Sequence, residues 1–164
     1  MQRERHLLQR VVAVAALLPI VAGLYGVLTG IDGIGTERIV NVSADSHFRY
    51  LSGLLTGIGI LFLTCVPGIE HKTGLFRFLT LVVVLGGLSR LLGLYLTGVP
   101  SIVMLGALAF ELGVTPILCL WQARVAHLAA GEEAERQAHG SLGQGSTTGA
   151  SASALASTAR SPIR

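Results

Sequence analysis

Four long apolar blocks leave this chain little choice of fold. They cover residues 11–28, 51–66, 75–96 and 102–121. Each is close to the length that crosses roughly 30 Å of hydrocarbon at a rise of about 1.5 Å per residue, and the second reaches it if it begins near Phe48. The blocks are apolar nearly all round, without the polar stripe that marks a helix on the surface of a soluble protein. With 51% hydrophobic and only 13% charged residues, a soluble domain of 164 residues is excluded. The pattern predicts an all-α, integral membrane four-helix bundle of antiparallel up-and-down spans. The spans are placed near 11–29, 47–66, 74–97 and 101–122, with a longer outer loop over 30–46.

The first block has the basic flank of a secretory signal, Met1-Gln-Arg-Glu-Arg-His-Leu-Leu-Gln-Arg10. Its apolar run is too long for a typical signal and lacks a clear Ala-x-Ala site, so a retained helix after a basic amino-terminal tail, 1–10, is expected. Lys and Arg set the orientation. Arg3, Arg5 and Arg10 precede span one, Lys72 and Arg77 sit at the joint of spans two and three, and Arg124, Arg136, Arg160 and Arg164 follow span four. The other side has Arg38 and Arg49, and its loop also carries Asp32, Glu37 and Asp45. The positive-inside rule then predicts a multi-pass protein of the cytoplasmic membrane with both termini cytoplasmic. The net charge of +3 is accounted for by topology, and no basic face points to nucleic acid.

Helix punctuation agrees with four spans. Thr29-Gly30 closes the first, Asp45 and Ser46 suit the N-cap of the second, and Pro67-Gly68 ends it. Thr73 suits the cap of the third, and Ser101, after Thr97-Gly98-Val99-Pro100, that of the fourth. Short joints make spans two, three and four antiparallel neighbours. The outer loop has room for a short extended or interfacial piece. Residues 131–136 suit an extension of the fourth helix, and the Gly, Ser, Thr and Ala stretch that follows predicts a disordered carboxy-terminal tail within 128–164. Leu28-Thr29-Gly30 and Leu96-Thr97-Gly98, each with a Tyr upstream, fit a duplicated hairpin or shared helix-stop chemistry equally well.

Small residues are expected to carry the packing: Gly53-x-x-x-Gly57, then Gly86 with Ser89-x-x-x-Gly93, then Gly106, Ala109 and Gly113. Two formal charges lie deep in the last two spans, Arg90 and Glu111. A charge at bilayer depth costs about 2.5–3.5 kcal/mol on insertion scales, so it calls for a partner or a purpose. Arg90 shares a face with Gly86, Gly93 and Thr97, and Glu111 with Ala107 and Thr115. Arg90 lies about 10 Å, and Glu111 about 15 Å, from the same interface, an offset an arginine can bridge. An ion pair between adjacent antiparallel helices is the expected arrangement.

Arg49 enters from the same side, with Tyr50 beside it, on a face continuing through Gly53, Thr56, Gly57 and Ile60. Arg49, Tyr50, Arg90 and Glu111 are therefore the candidate ligand-binding residues of an anion-friendly pocket in the outer half of the bundle. The alternative is structural: Arg90–Glu111 fixes helix register while Arg49 snorkels to the headgroups. Pro19 and Pro116 are candidate kinks. Cys65 and Cys119 read as buried thiols, and the scattered histidines suggest no metal. No phosphate-cradling loop or hydrolase motif is present, so no cofactor is expected.

Ser46-His-Phe-Arg-Tyr-Leu-Ser-Gly53, Gly86-Gly-Leu-Ser-Arg-Leu-Leu-Gly93 with Thr97-Gly-Val-Pro-Ser101, and Phe110-Glu111 carry a family resemblance. Together they resemble an uncharacterised bacterial family of small four-span membrane proteins, domain of unknown function 4345, over roughly residues 8–125. The resemblance implies that Arg49, Arg90 and Glu111 are the family's polar signature, and it implies no activity. Two classes of function follow. One is a non-enzymatic membrane protein, alone or in a homo-oligomer, whose polar cluster braces the bundle or binds a small anionic or amphiphilic ligand such as a lipid. The other is a small membrane enzyme acting on a lipophilic substrate, with Glu111 as acid or base and Arg90 and Arg49 as anion binders.

Overall fold

In hydrocarbon every backbone N–H and C=O must be satisfied within the protein, so an apolar segment of this length folds as a helix. The computed structural model describes residues 2–33 and 41–158. Its helices are α1 (Gln2–Thr29), α2 (Val42–Cys65), α3 (Thr73–Thr97), α4 (Ile102–Ala109) and α5 (Thr115–Thr158). A π-helical turn, Phe110–Val114, joins α4 to α5. These form four helices long and apolar enough to cross a membrane: Gln2–Thr29, Val42–Cys65, Thr73–Thr97 and Ile102–His139. No strand lies among the described residues. The extended piece expected in the outer loop falls on residues outside those described.

The chain divides into the bundle, Met1–Ala126, and a second unit from His127 onward. In the second unit every residue from 131 to 139 is exposed, as a solvated segment should be.

Within the bundle α1 and α2 lie antiparallel in close contact. Gly23 faces Ser52 and Thr56, Gly26 faces Ser52 and Phe48, and Gly59 faces Ala16 and Ile20. A Cβ on Gly23 would stand 2.6 Å from the Ser52 carbonyl oxygen and 2.7 Å from the Thr56 nitrogen. Only a glycine admits that approach. Lipid tails are as apolar as leucine, so such close van der Waals contact supplies the attraction that hydrophobicity supplies in water. The expected packing glycines are different ones. Nothing lies within 4 Å of a Cβ on Gly57, Gly86, Gly93, Gly106 or Gly113, and Gly53 meets only Val27, at 4.0 Å. Spacing alone selects pairs of small residues, and the helix rotation that decides which pair is used comes from the rest of the bundle.

The four-helix core sits at the end where α1 begins. Leu8, Val12, Phe62, Ile69, Phe76 and Val125 are buried there, bringing together three helices and the α2–α3 turn. Phe62 and Phe76 meet edge to face, with centroids 5.3 Å apart. Such a pair adds about 0.5–1.5 kcal/mol beyond burial. This core explains why α1 starts at Gln2, ahead of the expected span and within the basic tail. Leu8, Val12 and Ala16, at a spacing of four, continue one buried stripe towards the amino terminus.

Helix ends show two further departures. Asn41, ahead of Asp45 and Ser46, caps α2 by accepting the Ala44 N–H at 3.0 Å. Neither Thr73 nor Ser101 makes a side-chain cap. The repeated Thr-Gly endings are chemically alike. Thr29 and Thr97 donate to carbonyls one turn back, and Gly30 and Gly98 follow at positive φ, which stops each helix.

Candidate functional site

Arg90 and Glu111 form a two-pronged ion pair. Arg90 Nε donates to Glu111 Oε2 and Nη2 donates to Oε1, both at 3.1 Å. The remaining nitrogen, Nη1, points at Met104 Sδ, 3.0 Å away. The side chains are 33% and 16% exposed, so the fork is largely enclosed between α3 and the fourth span.

Two local features position it. The first is Gly87, buried on α3, where a Cβ would stand 2.7 Å from Leu112 Cδ2 and 3.0 Å from Glu111 Cβ. The packed face of α3 is thus that of Gly87 and Arg90; Gly86 and Gly93 lie open on either side. The second is the π turn that holds Glu111. Pro116 has no N–H for the Leu112 carbonyl and its ring crowds that carbonyl. The backbone answers with a wider turn, in which the Thr115 N–H reaches the Phe110 oxygen five residues back. Thr115 Oγ1 donates to the same oxygen at 3.2 Å. The turn inserts an extra residue of rotation, so faces counted from Ser101 at a spacing of four do not carry through it.

Arg49 is committed elsewhere. Its Nε donates to Asp45 Oδ2 at 2.8 Å, and Nη1 donates to the carbonyls of Val27 at 2.5 Å and Leu28 at 3.2 Å. Asp45 Oδ1 in turn accepts the Ile31 N–H at 2.9 Å. Arg49 and Asp45 therefore close the carboxy-terminal end of α1, where orphan carbonyls and the helix dipole favour a cation. Gly30, with φ of +66°, lets the chain turn directly beneath them. Tyr50 is exposed and its ring lies against His47 at 6.5 Å. Of the four candidate residues, the structure brings Arg90 and Glu111 together. Arg49 serves the α1–α2 hairpin, and Tyr50 faces outward.

A second polar cluster lies at the opposite end of the bundle. Arg5 Nη1 contacts Glu70 Oε1 at 2.8 Å, and the Glu70 side chain is 6% exposed. Gln9 donates to the Val66 carbonyl at 2.9 Å. Gln122, fully buried, donates to the Ile69 carbonyl at 2.8 Å and to Thr73 Oγ1 at 2.9 Å. Together they tie α1 and α5 to the α2–α3 turn. The sequence signals were a lone acid in a basic joint and single glutamines in apolar surroundings. Reading loop charges only as topology markers passes over both. Among the described residues no three His, Cys, Asp or Glu side chains gather as metal ligands would.

A family model described as Domain of unknown function (DUF4345) matches residues 7–122. That stretch runs from the first turns of α1 to Gln122 and includes Arg49, Glu70, Arg90 and Glu111. No curated protein and no solved structure matches the chain. The match spans the entire bundle from α1 to the core-facing turns of α5, and the chain belongs to the domain of unknown function 4345 family.

Proposed function

We propose that this is a non-enzymatic protein of the cytoplasmic membrane, with both termini cytoplasmic, and that its Arg90–Glu111 pair braces α3 against the fourth span. The observation that carries this reading is the fork itself. All of the carboxylate's charge faces one guanidinium, and that guanidinium's third nitrogen ends on Met104. Acid or base work by Glu111 would first require the pair to open, because both oxygens are engaged. The basic residues at the termini and the α2–α3 joint support the orientation.

One observation favours a second reading, in which Arg90 receives the headgroup of an anionic amphiphile. The pair is flanked on α3 by open space at Gly86 and Gly93. A carboxylate or phosphate entering there would replace Glu111 on a guanidinium suited to two-pronged contact. Exchanging the charges separates the readings. For a brace, Arg90→Glu/Glu111→Arg regains most of the stability that either single reversal loses, and the purified protein carries the same lipids as wild type. For a headgroup site, the exchanged protein loses a bound anionic lipid that wild type retains in native mass spectra.

A further inference from the structure

Two carboxylates lie inside the bundle, and they are held differently. Glu111 has both oxygens in the Arg90 fork. Glu70 has only Oε1 engaged, by Arg5 Nη1 at 2.8 Å, while Oε2 is buried and has no hydrogen-bond partner among the described residues. Gln122 presents the same condition. Its amide nitrogen is fully used on the Ile69 carbonyl and Thr73 Oγ1, and its Oε1 is buried without a donor. Both side chains are more than nine-tenths buried, and both hold the same turn, since Gln122 bonds the carbonyl of the residue that precedes Glu70.

A buried acceptor left unmatched costs about 1–3 kcal/mol. Two unmatched acceptors cannot satisfy one another. A hydrogen placed on one of them can satisfy both, and of the two groups only the carboxylate can take it up.

We propose that Glu70 is a proton-binding site, taking its proton on Oε2 and donating it to Gln122 Oε1. The step balances simply. A proton from the aqueous phase forms the Oε2–H bond, the junction gains one positive charge, and the Arg5 contact to Oε1 stays in place. Glu111 cannot do this without breaking one prong of its fork.

The groups facing Glu70 come from each neighbouring element. On α1 they are Arg5 and the Gln9 amide, which bonds Val66. On α5 they are Gln122 and, further out, Arg124, which pairs with Glu4 at 3.8 Å. On the turn, His71 Nε2 lies 3.7 Å from Oε1, whereas Lys72 directs its ammonium to the Thr64 carbonyl. On α3 the nearest polar group is Thr73. The site joins α1, the α2–α3 turn and α5, so all three elements feel the arrival of the proton.

The test is an infrared difference spectrum of the full chain in lipid vesicles, acidic minus neutral, with glutamate carboxyl carbons isotopically labelled. Wild type is expected to gain a protonated-carboxyl band that Glu70→Gln lacks and that Arg90→Leu/Glu111→Leu keeps. In Gln122→Leu the same band should move to higher frequency, because the acid has lost its acceptor; a merely structural Gln122 would leave it in place. Glu70→Gln carries an amide hydrogen where the proton would sit and is expected to fold. If it does not, the Gln122→Leu shift decides alone. Identical spectra for wild type and Glu70→Gln overturn the proposal, as they would if Arg5 turned its unpartnered Nε–H onto Oε2. A band indifferent to Gln122→Leu overturns it as well.

Discussion

Arg90→Leu is expected to cost the protein most of its stability in detergent or lipid. The substitution leaves the Glu111 carboxylate, 16% exposed, facing apolar side chains and hydrocarbon. Removing one partner of a buried pair costs about 3–5 kcal/mol. Small proteins are stable by only about 5–15 kcal/mol in total, so this loss is decisive. The reverse change should be milder. In Glu111→Leu the orphaned Arg90 sits seven residues from the end of α3, and its long side chain can reach towards the interface. Heat or denaturant unfolding of the purified variants would show Arg90→Leu well below Glu111→Leu, and both below wild type. Equal losses would mean that Arg90 cannot escape and that the fork is deeper than its position along α3 indicates.

Gly23→Leu is the other large effect expected. A Cβ at this position meets the backbone of α2, with the Ser52 carbonyl oxygen at 2.6 Å and the Thr56 nitrogen at 2.7 Å. Side chains can turn aside, but a packed helix backbone yields only by moving as a whole. Overpacking typically costs about 1–3 kcal/mol and more where nothing can give, so the upper end or beyond is expected here. Moving α2 away would also pull Arg49 from the carbonyls of Val27 and Leu28, which loosens the far end of the same hairpin. Gly57→Leu is the matched control, since nothing lies within 4 Å of its added Cβ. Comparable unfolding of the two variants would show that the α1–α2 contact is not close-packed.

The legible parts of this fold are those that each segment specifies alone. Length and apolarity define four spans. Gly30, Gly68 and Gly98, all at positive φ, stop the chain where the sequence places its stops. The Arg90–Glu111 pair was legible because depth along a straight helix is simple arithmetic, and two charges at matching depth in adjacent helices have few other partners. Rotation was the hidden quantity. Nothing local distinguishes Gly86 from Gly87, yet one faces open space and the other lies against Leu112. Past Phe110 the π turn adds rotation that a constant spacing of four omits.

Arg49 shows a related difficulty. Viewed along its own helix it pointed towards Arg90, whereas the strongest attraction came from Asp45 one turn back and from the unsatisfied end of a different helix. Glu70 was hidden by its place in a joint of a few residues. Its burial depends on α1 and α5 closing over that joint, which no single segment reveals.

The central claim is that Arg90 and Glu111 stabilise the bundle through each other. A double-mutant cycle of Arg90→Leu, Glu111→Leu and the combined variant, unfolded reversibly in lipid, measures that coupling directly. The account predicts a combined variant as stable as wild type or nearly so, because a buried pair replaced by well-packed leucines is often neutral. The coupling should then reach about 2–3 kcal/mol, the upper range for contacting residues. Single losses that simply add, with the double variant as damaged as their sum, would contradict it.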